Sequence, residues 1–355
     1  MTAAVQVVPR RRWIQGALIT ATIAVAGLAW AKWVPYWGKA TGAAGSHAWA
    51  GTNILNAGGV ESGDAPSWAA GWSFTTAYAE SIWKALLVAL LLGCAIQVLV
   101  KPSFFVSLLS RQRTLSSAVA GAVSAMPSMM CTCCTAPVVR SLRKSGASLA
   151  GAVSYWLGNP VLNPAVLVFL AVVAPWQWVA TRAVVGVVLV VGAGAVVGRL
   201  FRGTDTMRAV DVDAVTESEA GPSVRRFVMT FAKMVAILIP EYFIVVFLLG
   251  AVRGWIPEPT AIASSTSGFL PVVLAAVLGT LLVLPTAGEL PILIALALAG
   301  VSPAVIGALL ITLPAVSLPG SVMTWRSFGS RASLSIMACS VCAGLLGAGA
   351  LAVMT

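Results

Sequence analysis

The sequence predicts an all-α polytopic membrane protein made of two inverted-topology repeats plus an extra N-terminal transmembrane helix. Hydrophobic residues make up 59% of the 355 residues and charged residues only 9%, which is outside the range of soluble globular proteins. The apolar runs lack the alternation of barrel strands, so we expect helices, which satisfy their own backbone polar groups in hydrocarbon. The third observation is an internal repeat.

The basic residues predict how the chain is oriented. The net charge of +11 does not indicate a nucleic-acid partner, because most arginines and lysines lie in short segments between apolar runs, where they orient helices. Arg10, Arg11 and Arg12 precede an apolar run at 13–34 that is long enough to span a bilayer. The N-terminus is therefore predicted to be cytoplasmic, and the lipid bilayer is the first predicted partner.

Changes in composition divide the chain into four parts. Residues 1–77 are predicted to form an N-terminal anchor helix and a Trp-rich external loop, and residues 78–200 the first membrane repeat. Residues 201–225 are predicted to form an acidic cytoplasmic linker, and residues 226–355 are predicted to form the second repeat. The external loop is placed at 38–73.

Two smaller features of the N-terminal part complete this prediction. The loop contains the single histidine, His47, which has no companion ligands and is not expected to bind metal. The next membrane-spanning helix is predicted at 78–100.

An internal repeat appears when the sequence is displaced by 154 residues. The two halves then align without a gap, and the coinciding residues are mostly small or helix-breaking, as expected after a duplication. The aligned pairs are Pro137 with Pro291, Gly146 with Gly300, Ser148 with Ser302, Pro160 with Pro314, Asn163 with Ser317, and Cys131 with Pro285.

Charge on both sides of the cysteine-containing stretch predicts a re-entrant hairpin. Arg111 and Arg113 precede this stretch, and Arg140 and Arg143 follow it. Both ends therefore favour the cytoplasm, so the chain must enter the membrane and return. The matching break at 284–291 is predicted to enter from the external side. Opposed broken hairpins are typical of inverted-repeat transporters with a site near the midplane.

Three cysteines are the first candidate binding residues. Cys131, Cys133 and Cys134 lie between Pro127 and Pro137 at the predicted hairpin tip. Thiolates are soft ligands that favour Cu(I), Zn, or trivalent arsenic and antimony. The alternative is that these cysteines serve only as small residues that pack well in a membrane.

Polar residues at the proline breaks are the next candidates. Asn159 and Asn163 precede prolines in the first half, and Ser317 occupies the equivalent position in the second. Proline removes a backbone donor, and Asn or Ser side chains can bind freed backbone groups or a solute. A kink without ligand contact is the alternative.

Two carboxylates within apolar runs are candidates for ion coupling. Glu241 lies near the centre of its predicted span, and Glu289 lies at the second hairpin. A carboxylate within the membrane is costly and is a functional candidate through protonation, coordination or pairing. Glu289 is also predicted to contact the solute. The Cys339 and Cys342 pair is interpreted as helix packing.

These motifs together resemble the ArsP-type permease family, which includes trivalent organoarsenical efflux proteins. The similarity covers roughly residues 78–354 and leaves the N-terminal anchor outside. It is carried by Cys131-Thr-Cys133 with Pro137, Gly146-Ala-Ser148, Asn163-Pro164, Glu289, Gly300-Val-Ser302, Pro314 and Ser317-Leu-Pro319.

The resemblance implies a multi-pass permease of the plasma membrane and not an enzyme. Cys131 and Cys133 correspond to the family's paired cysteines and would be the metalloid thiolate ligands; Cys134 is an addition. The expected activity is export of a thiophilic small solute, most concretely a trivalent organoarsenical, coupled to protons through Glu241 or Glu289, with no cofactor. A Cu(I)-type transporter and a membrane thiol oxidoreductase are the alternatives.

Overall fold

The computed structural model describes residues 9–46, 54–202, 221–255 and 268–355, and every α or β element within these residues is a helix. The first half of the chain contains α1 (Arg10–Leu28), α2 (Val34–Ser46), α3 (Trp68–Leu99), α4 (Pro102–Leu109), α5 (Thr114–Ala125), α6 (Thr132–Lys144), α7 (Leu149–Val161), α8 (Pro164–Val173) and α9 (Trp176–Leu200). The second half contains α10 (Val224–Val252), α11 (Phe269–Leu281), α12 (Glu289–Leu298), α13 (Pro303–Ala315), α14 (Leu318–Phe328) and α15 (Ser330–Met354).

Six helical segments of the described chain are long and apolar enough to cross a membrane, and the bent pair α13–α14 raises this number to seven. The six are α1–α2, α3, α7–α8, α9, α10 and α15. The predicted all-α polytopic fold is therefore confirmed.

The N-terminal part differs from the prediction. The π-helical turn Ala29–Trp33 joins α1 and α2 into one span, Arg11–Ser46, so the run predicted at 13–34 was too short. The loop predicted at 38–73 was wrong at both ends. Its start is helical because α2 packs against α8, and its end is helical because the Ser67 hydroxyl caps α3.

Two predicted boundaries need comment. The division between residues 77 and 78 falls inside α3, because that helix begins at Trp68. Most of the predicted linker at 201–225, like His47, lies outside the described residues, so the acidic linker stays a prediction.

The segment containing α5 and α6 doubles back on itself. With 12 and 13 residues, each helix rises only ~18–20 Å, against ~30 Å of hydrocarbon. The two ends of the segment meet: the Ser110 hydroxyl donates to the Gly146 carbonyl at 3.1 Å and accepts from the Ser148 amide at 2.8 Å. The two helices are separated by residues 126–131, the first break, where Met129 is left-handed with φ 49°.

The second half contains matching interruptions. Residues 282–288, the second break, separate α11 from α12. Helices α13 and α14 are bent by 53° at Ser317, whose hydroxyl accepts from the Gly320 amide at 3.3 Å. Asn163 caps α8 in the same way and accepts from the Ala165 amide at 3.0 Å. Proline follows each capping residue closely and prevents the preceding helix from continuing.

The helix boundaries follow the sequence repeat. Helices α7 and α13, like α9 and α15, begin and end at residues separated by the same 154 positions. Gly146 and Gly300 both have positive φ, 88° and 76°, a conformation that glycine adopts without a steric cost. The packing also recurs, because α5 contacts α7 and α9 while α11 contacts α13 and α15.

The corresponding helices α3 and α10 pack against each other in antiparallel orientation. Phe74, near the start of α3, lies against Gly250 near the end of α10. The Gln97 amide, near the end of α3, lies 3.8 Å from the Met234 sulfur near the start of α10. One helix of each half therefore forms this seam, and α9 with α15 forms a second contact between the halves.

Candidate functional site

The three cysteines at the end of the first break and the start of α6 form one cluster of sulfur atoms. Cys131 immediately precedes α6, and Cys133 and Cys134 lie in its first turn. The Cys131 sulfur is 3.2 Å from that of Cys133 and 3.0 Å from that of Cys134. All three side chains are buried, and their sulfurs lie within 4.8 Å of one another. This geometry allows all three to ligate a single soft atom.

Residues of both breaks line one pocket. Cys131 and Thr132 contribute from the first break and α6, Thr286 from the second break, and Glu289 from the start of α12. Ser317, at the α13–α14 bend, also lines this pocket. The fold thus brings three of the predicted site residues, Cys131, Glu289 and Ser317, to a common wall.

A direct contact crosses this wall between the halves. The Thr132 hydroxyl lies 2.7 Å from the Ser317 hydroxyl, and the Trp156 indole donates to the Thr132 carbonyl at 2.9 Å. The beginning of α6 is therefore held by α7 on one side and by the second half of the chain on the other.

Glu289 is paired with a buried arginine. Arg182 of α9 is fully buried, and its Nη1 lies 2.8 Å from Glu289 Oε1. It also donates from Nε to the Val161 carbonyl at 3.2 Å and from Nη2 to the Pro160 carbonyl at 2.9 Å. Pro164 has no N–H to offer the Pro160 carbonyl one helical turn earlier, so the guanidinium satisfies an acceptor that the α7–α8 break leaves free.

The sequence prediction missed Arg182. The available signal was an arginine within the apolar run that follows Trp178, because an ionisable residue inside a span indicates a functional or paired site. The partner was not visible, since Glu289 lies in the other half of the chain.

The two asparagines have different surroundings. The Asn159 carbonyl oxygen accepts from the Ser128 hydroxyl and from the Met130 amide at 3.3 Å, and its amide donates to Tyr155. Asn159 therefore braces the first break and does not line the pocket. Asn163 caps α8, while its buried Nδ2 has no hydrogen-bond partner among the described residues.

The other predicted candidates lie away from this pocket. Glu241 is 24% exposed and contacts Arg326 at 3.3 Å, and the arginine is itself 69% exposed. Neither residue lines the pocket. Cys339 is half-buried and Cys342 exposed on α15, and neither belongs to the sulfur cluster.

A second basic residue was also missed. Lys32, in the π-helical turn between α1 and α2, is 6% exposed. Its Nζ donates to the Tyr36 hydroxyl at 3.0 Å and to the Thr286 hydroxyl at 3.2 Å. Its position near the end of the predicted anchor made it resemble an ordinary interfacial lysine, because lysines near span ends commonly reach the interface.

A polytopic helical fold with interrupted helices around a buried pocket that carries a few polar side chains is typical of a membrane transport protein. Residues 67–349 match the ArsP_1 family of predicted permeases, and the chain belongs to this family. The chain is also 38% identical over 322 residues to the UPF0718 protein YraQ of Escherichia coli (strain K12), with 90% of each chain covered. No solved structure matches. The protein is thus a multi-pass membrane permease, and the family resemblance is confirmed.

Proposed function

We propose that this permease exports a thiophilic small solute, most concretely a trivalent organoarsenical, from the cell across the plasma membrane. The observation that carries the proposal is the cluster of three buried sulfurs within 4.8 Å of one another at the wall of a pocket lined by both halves. Cys131 and Cys133 are the proposed paired ligands, with Cys134 as a third sulfur.

The chemistry of capture balances with thiols alone. In a monomethyl arsenic(III) dihydroxide, two arsenic–oxygen bonds break and two arsenic–sulfur bonds form with Cys131 and Cys133. The two thiol protons leave with the two hydroxyl groups as water. The remaining methyl or aryl group faces apolar pocket residues such as Leu284 and Leu313, which favours an organic arsenical over inorganic arsenite.

We also propose that the two halves are an inverted repeat and alternate access to this pocket. Support comes from the common displacement of their helix boundaries and from the antiparallel packing of α3 and α10. In this arrangement the first hairpin enters from the cytoplasm and the second from outside. Asn159, Asn163 and Ser317 lie at the bends. The Ser317 hydroxyl, which lines the pocket, would contact the solute directly, and Asn159 and Asn163 would contact it only after a rearrangement of the α7–α8 break.

Proton coupling is assigned to the carboxylates, with Glu289 as the principal group and Glu241 as the other candidate. Glu289 lines the pocket and neutralises Arg182. Protonation of Glu289 would remove the negative charge of that pair, and the cost of burying Arg182 would then favour a rearrangement of the α7–α8 break. Glu241 could change its pairing with Arg326 without contacting the solute.

The test is resistance and transport in an arsenic-sensitive bacterial strain. Expression should confer tolerance to methylarsenite, and everted vesicles should accumulate it, whereas Cys131→Ser and Cys133→Ser should abolish both effects. Cys342→Ser is the matched control, because that thiol is exposed and outside the cluster. Unchanged tolerance with the wild-type protein demonstrated in the membrane would exclude this solute.

A Cu(I)-type ion is the second candidate, because an all-sulfur ligand set also suits a soft monovalent metal. The same vesicles distinguish the two candidates. Accumulation of copper under reducing conditions, with no accumulation of methylarsenite, would assign the cluster to the metal ion.

A further inference from the structure

We propose that Lys32, Tyr36 and Thr286 form a binding site for a small monovalent anion at the wall of the pocket. The ligand is a halide or a carboxylate, supplied either as a free ion or as an anionic group of the solute. The inference goes beyond the proposed function, because it does not involve the sulfur cluster and does not depend on which soft solute is carried. Two of the three residues belong to the N-terminal span, which precedes the region matched by the family model, residues 67–349.

The three polar groups come together from two distant segments of the chain. Lys32 lies in the π-helical turn Ala29–Trp33, and Tyr36 follows one turn later in α2. The Lys32 ammonium donates to the Tyr36 hydroxyl at 3.0 Å and to the Thr286 hydroxyl of the second break at 3.2 Å. Thr286 lines the pocket, so an anion bound by its hydroxyl would lie at the pocket wall.

The two residues of the N-terminal span are held inside the protein. Lys32 is only 6% exposed and Tyr36 only 7%. The Tyr36 ring packs edge-on against Phe169 of α8, with the ring centroids 5.8 Å apart. Helical π-bulges, such as the turn that carries Lys32, are frequent at functional sites. The lysine is therefore part of a packed polar site and not an interfacial anchor.

The charge of Lys32 lacks a counter-charge among the described residues. Its partners are the two neutral hydroxyls and the Tyr36 ring, whose centroid is 5.2 Å from the ammonium. No described carboxylate lies within ion-pair distance of Lys32, and Glu289, the carboxylate of the pocket, is neutralised by Arg182. A buried cation without a counter-charge is strongly disfavoured. One residual positive charge in so buried a place matches a small monovalent anion.

The site also has hydrogen-bond donors left for such a ligand. An ammonium carries three protons, and Lys32 directs two of them to the hydroxyls of Tyr36 and Thr286. These hydroxyls carry one proton each and interact with each other, which uses at most one of the two. At least one ammonium proton and one hydroxyl proton are thus free to donate to an anion, and the ammonium bond is of the strong, charge-assisted kind.

The experiment measures anion binding without any arsenical. Purified full-length protein in detergent is titrated with radiolabelled chloride and, separately, with radiolabelled formate, at an ionic strength held constant with gluconate. We expect saturable binding of at least one of the two anions. Lys32→Gln should weaken this binding at least ~10-fold, because it removes a charged donor. Tyr36→Phe and Thr286→Val keep the charge and the approximate shape, and each should weaken binding ~2–10-fold.

Lys84→Gln is the matched control. Lys84 lies in the neighbouring helix α3 and is exposed, with its ammonium 5.5 Å from the Trp30 ring centroid and 5.6 Å from that of Trp83. This variant removes the same charge from the same side of the protein but none of the proposed anion donors. Its affinity for the anion should equal that of the wild-type protein.

A competition assay distinguishes the two sources of the anion. Phenylarsine oxide and its para-carboxylate derivative are compared as competitors of the bound radiolabelled anion. Displacement by the carboxylated compound alone would assign the site to an anionic group of the solute. Displacement by neither compound would assign it to a free ion.

Three results would overturn the proposal. These are a wild-type protein that binds neither chloride nor formate, a loss in Lys84→Gln equal to that in Lys32→Gln, and unchanged binding in both Tyr36→Phe and Thr286→Val. The last comparison remains decisive if Lys32→Gln does not fold, because those two variants retain the lysine. A permease that binds the anion as expected but exports no arsenical would contradict the proposed solute and leave the anion site intact.

Discussion

The two helix breaks occupy corresponding places in the two halves but have different chemistry. Cys131 of the first break aligns with Pro285 of the second, and each break includes a non-glycine residue with positive φ, Met129 at 49° and Ala287 at 67°. The first break and the first turn of α6 together offer three thiols. The second offers a hydroxyl and leads directly to a carboxylate, Glu289.

The two breaks are also stabilised differently. Asn159, on the neighbouring helix α7, binds the first break through uncharged hydrogen bonds. Charged groups stabilise the second break and the helix start that follows it: Arg182 binds Glu289, and Lys32 binds Thr286. The interruptions thus lie at corresponding positions of the two halves while the side chains around them differ, with soft ligands in one half and ionic groups in the other.

The largest effect should come from removing a soft ligand of the first break. Cys131→Ser should weaken binding of phenylarsine oxide by purified protein at least ~100-fold. Removing a group that only hydrogen-bonds to a ligand already costs up to ~100-fold, and Cys131 is itself a proposed ligand. Calorimetry or tryptophan fluorescence measures this, with Cys342→Ser as control. Retained binding in Cys131→Ser would remove the proposed distinction between the two breaks.

The second largest effect should come from breaking the ion pair between Arg182 and Glu289. Glu289→Gln leaves the Arg182 guanidinium buried without its counter-charge, which should lower the free energy of unfolding by about 3–5 kcal/mol. Denaturant unfolding in detergent provides the measurement. The double variant Arg182→Gln with Glu289→Gln should lose less than the sum of the two single variants, and strict additivity would show that the two groups do not interact.

A smaller effect is expected where the halves touch. Thr132→Val or Ser317→Ala removes the 2.7 Å hydroxyl contact and should cost about 1 kcal/mol. Ser317→Ala should cost slightly more, because that hydroxyl also caps α14. Equal thermal midpoints for both variants and the parent protein would mean that this contact contributes nothing to the joining of the halves.

The smallest effect should follow Glu241→Gln. Its partner Arg326 is largely exposed, and ion pairs of this kind contribute only ~0–1 kcal/mol. The same unfolding measurement compares this variant with Glu289→Gln. A loss as large as that of Glu289→Gln would place the two carboxylates in one class and contradict the contrast drawn between them.

Much of the site was predictable because its residues are unusual within membrane helices. Prolines, clustered cysteines and the 154-residue offset identified both breaks, and positive φ at Gly146 and Gly300 agrees with their alignment. Cys131, Glu289 and Ser317 do meet at one pocket. These signals are local or follow from the 154-residue alignment of the two halves, so one sequence suffices to detect them.

What was missed depends on contacts between distant segments. Arg182 and Lys32 lie in apolar runs where a single charge can be an anchor or a buried partner, and only the fold shows that each reaches the second half. Helix α2 was likewise interpreted as a loop. Its three glycines, Gly38, Gly42 and Gly45, weaken the intrinsic preference for helix, and its packing against α8 is not visible locally.

The shortness of α5 and α6 has a consequence for the distance that a solute must travel. With 12 residues, α5 rises ~18 Å. In the proposed arrangement, in which the first hairpin enters from the cytoplasm, its thiols would therefore lie past the middle of a ~30 Å hydrocarbon layer. The remaining barrier in that arrangement would be only ~12 Å thick and would consist of the second break and its neighbours. Transport across it would require the displacement of a few side chains rather than passage through a full-length pore.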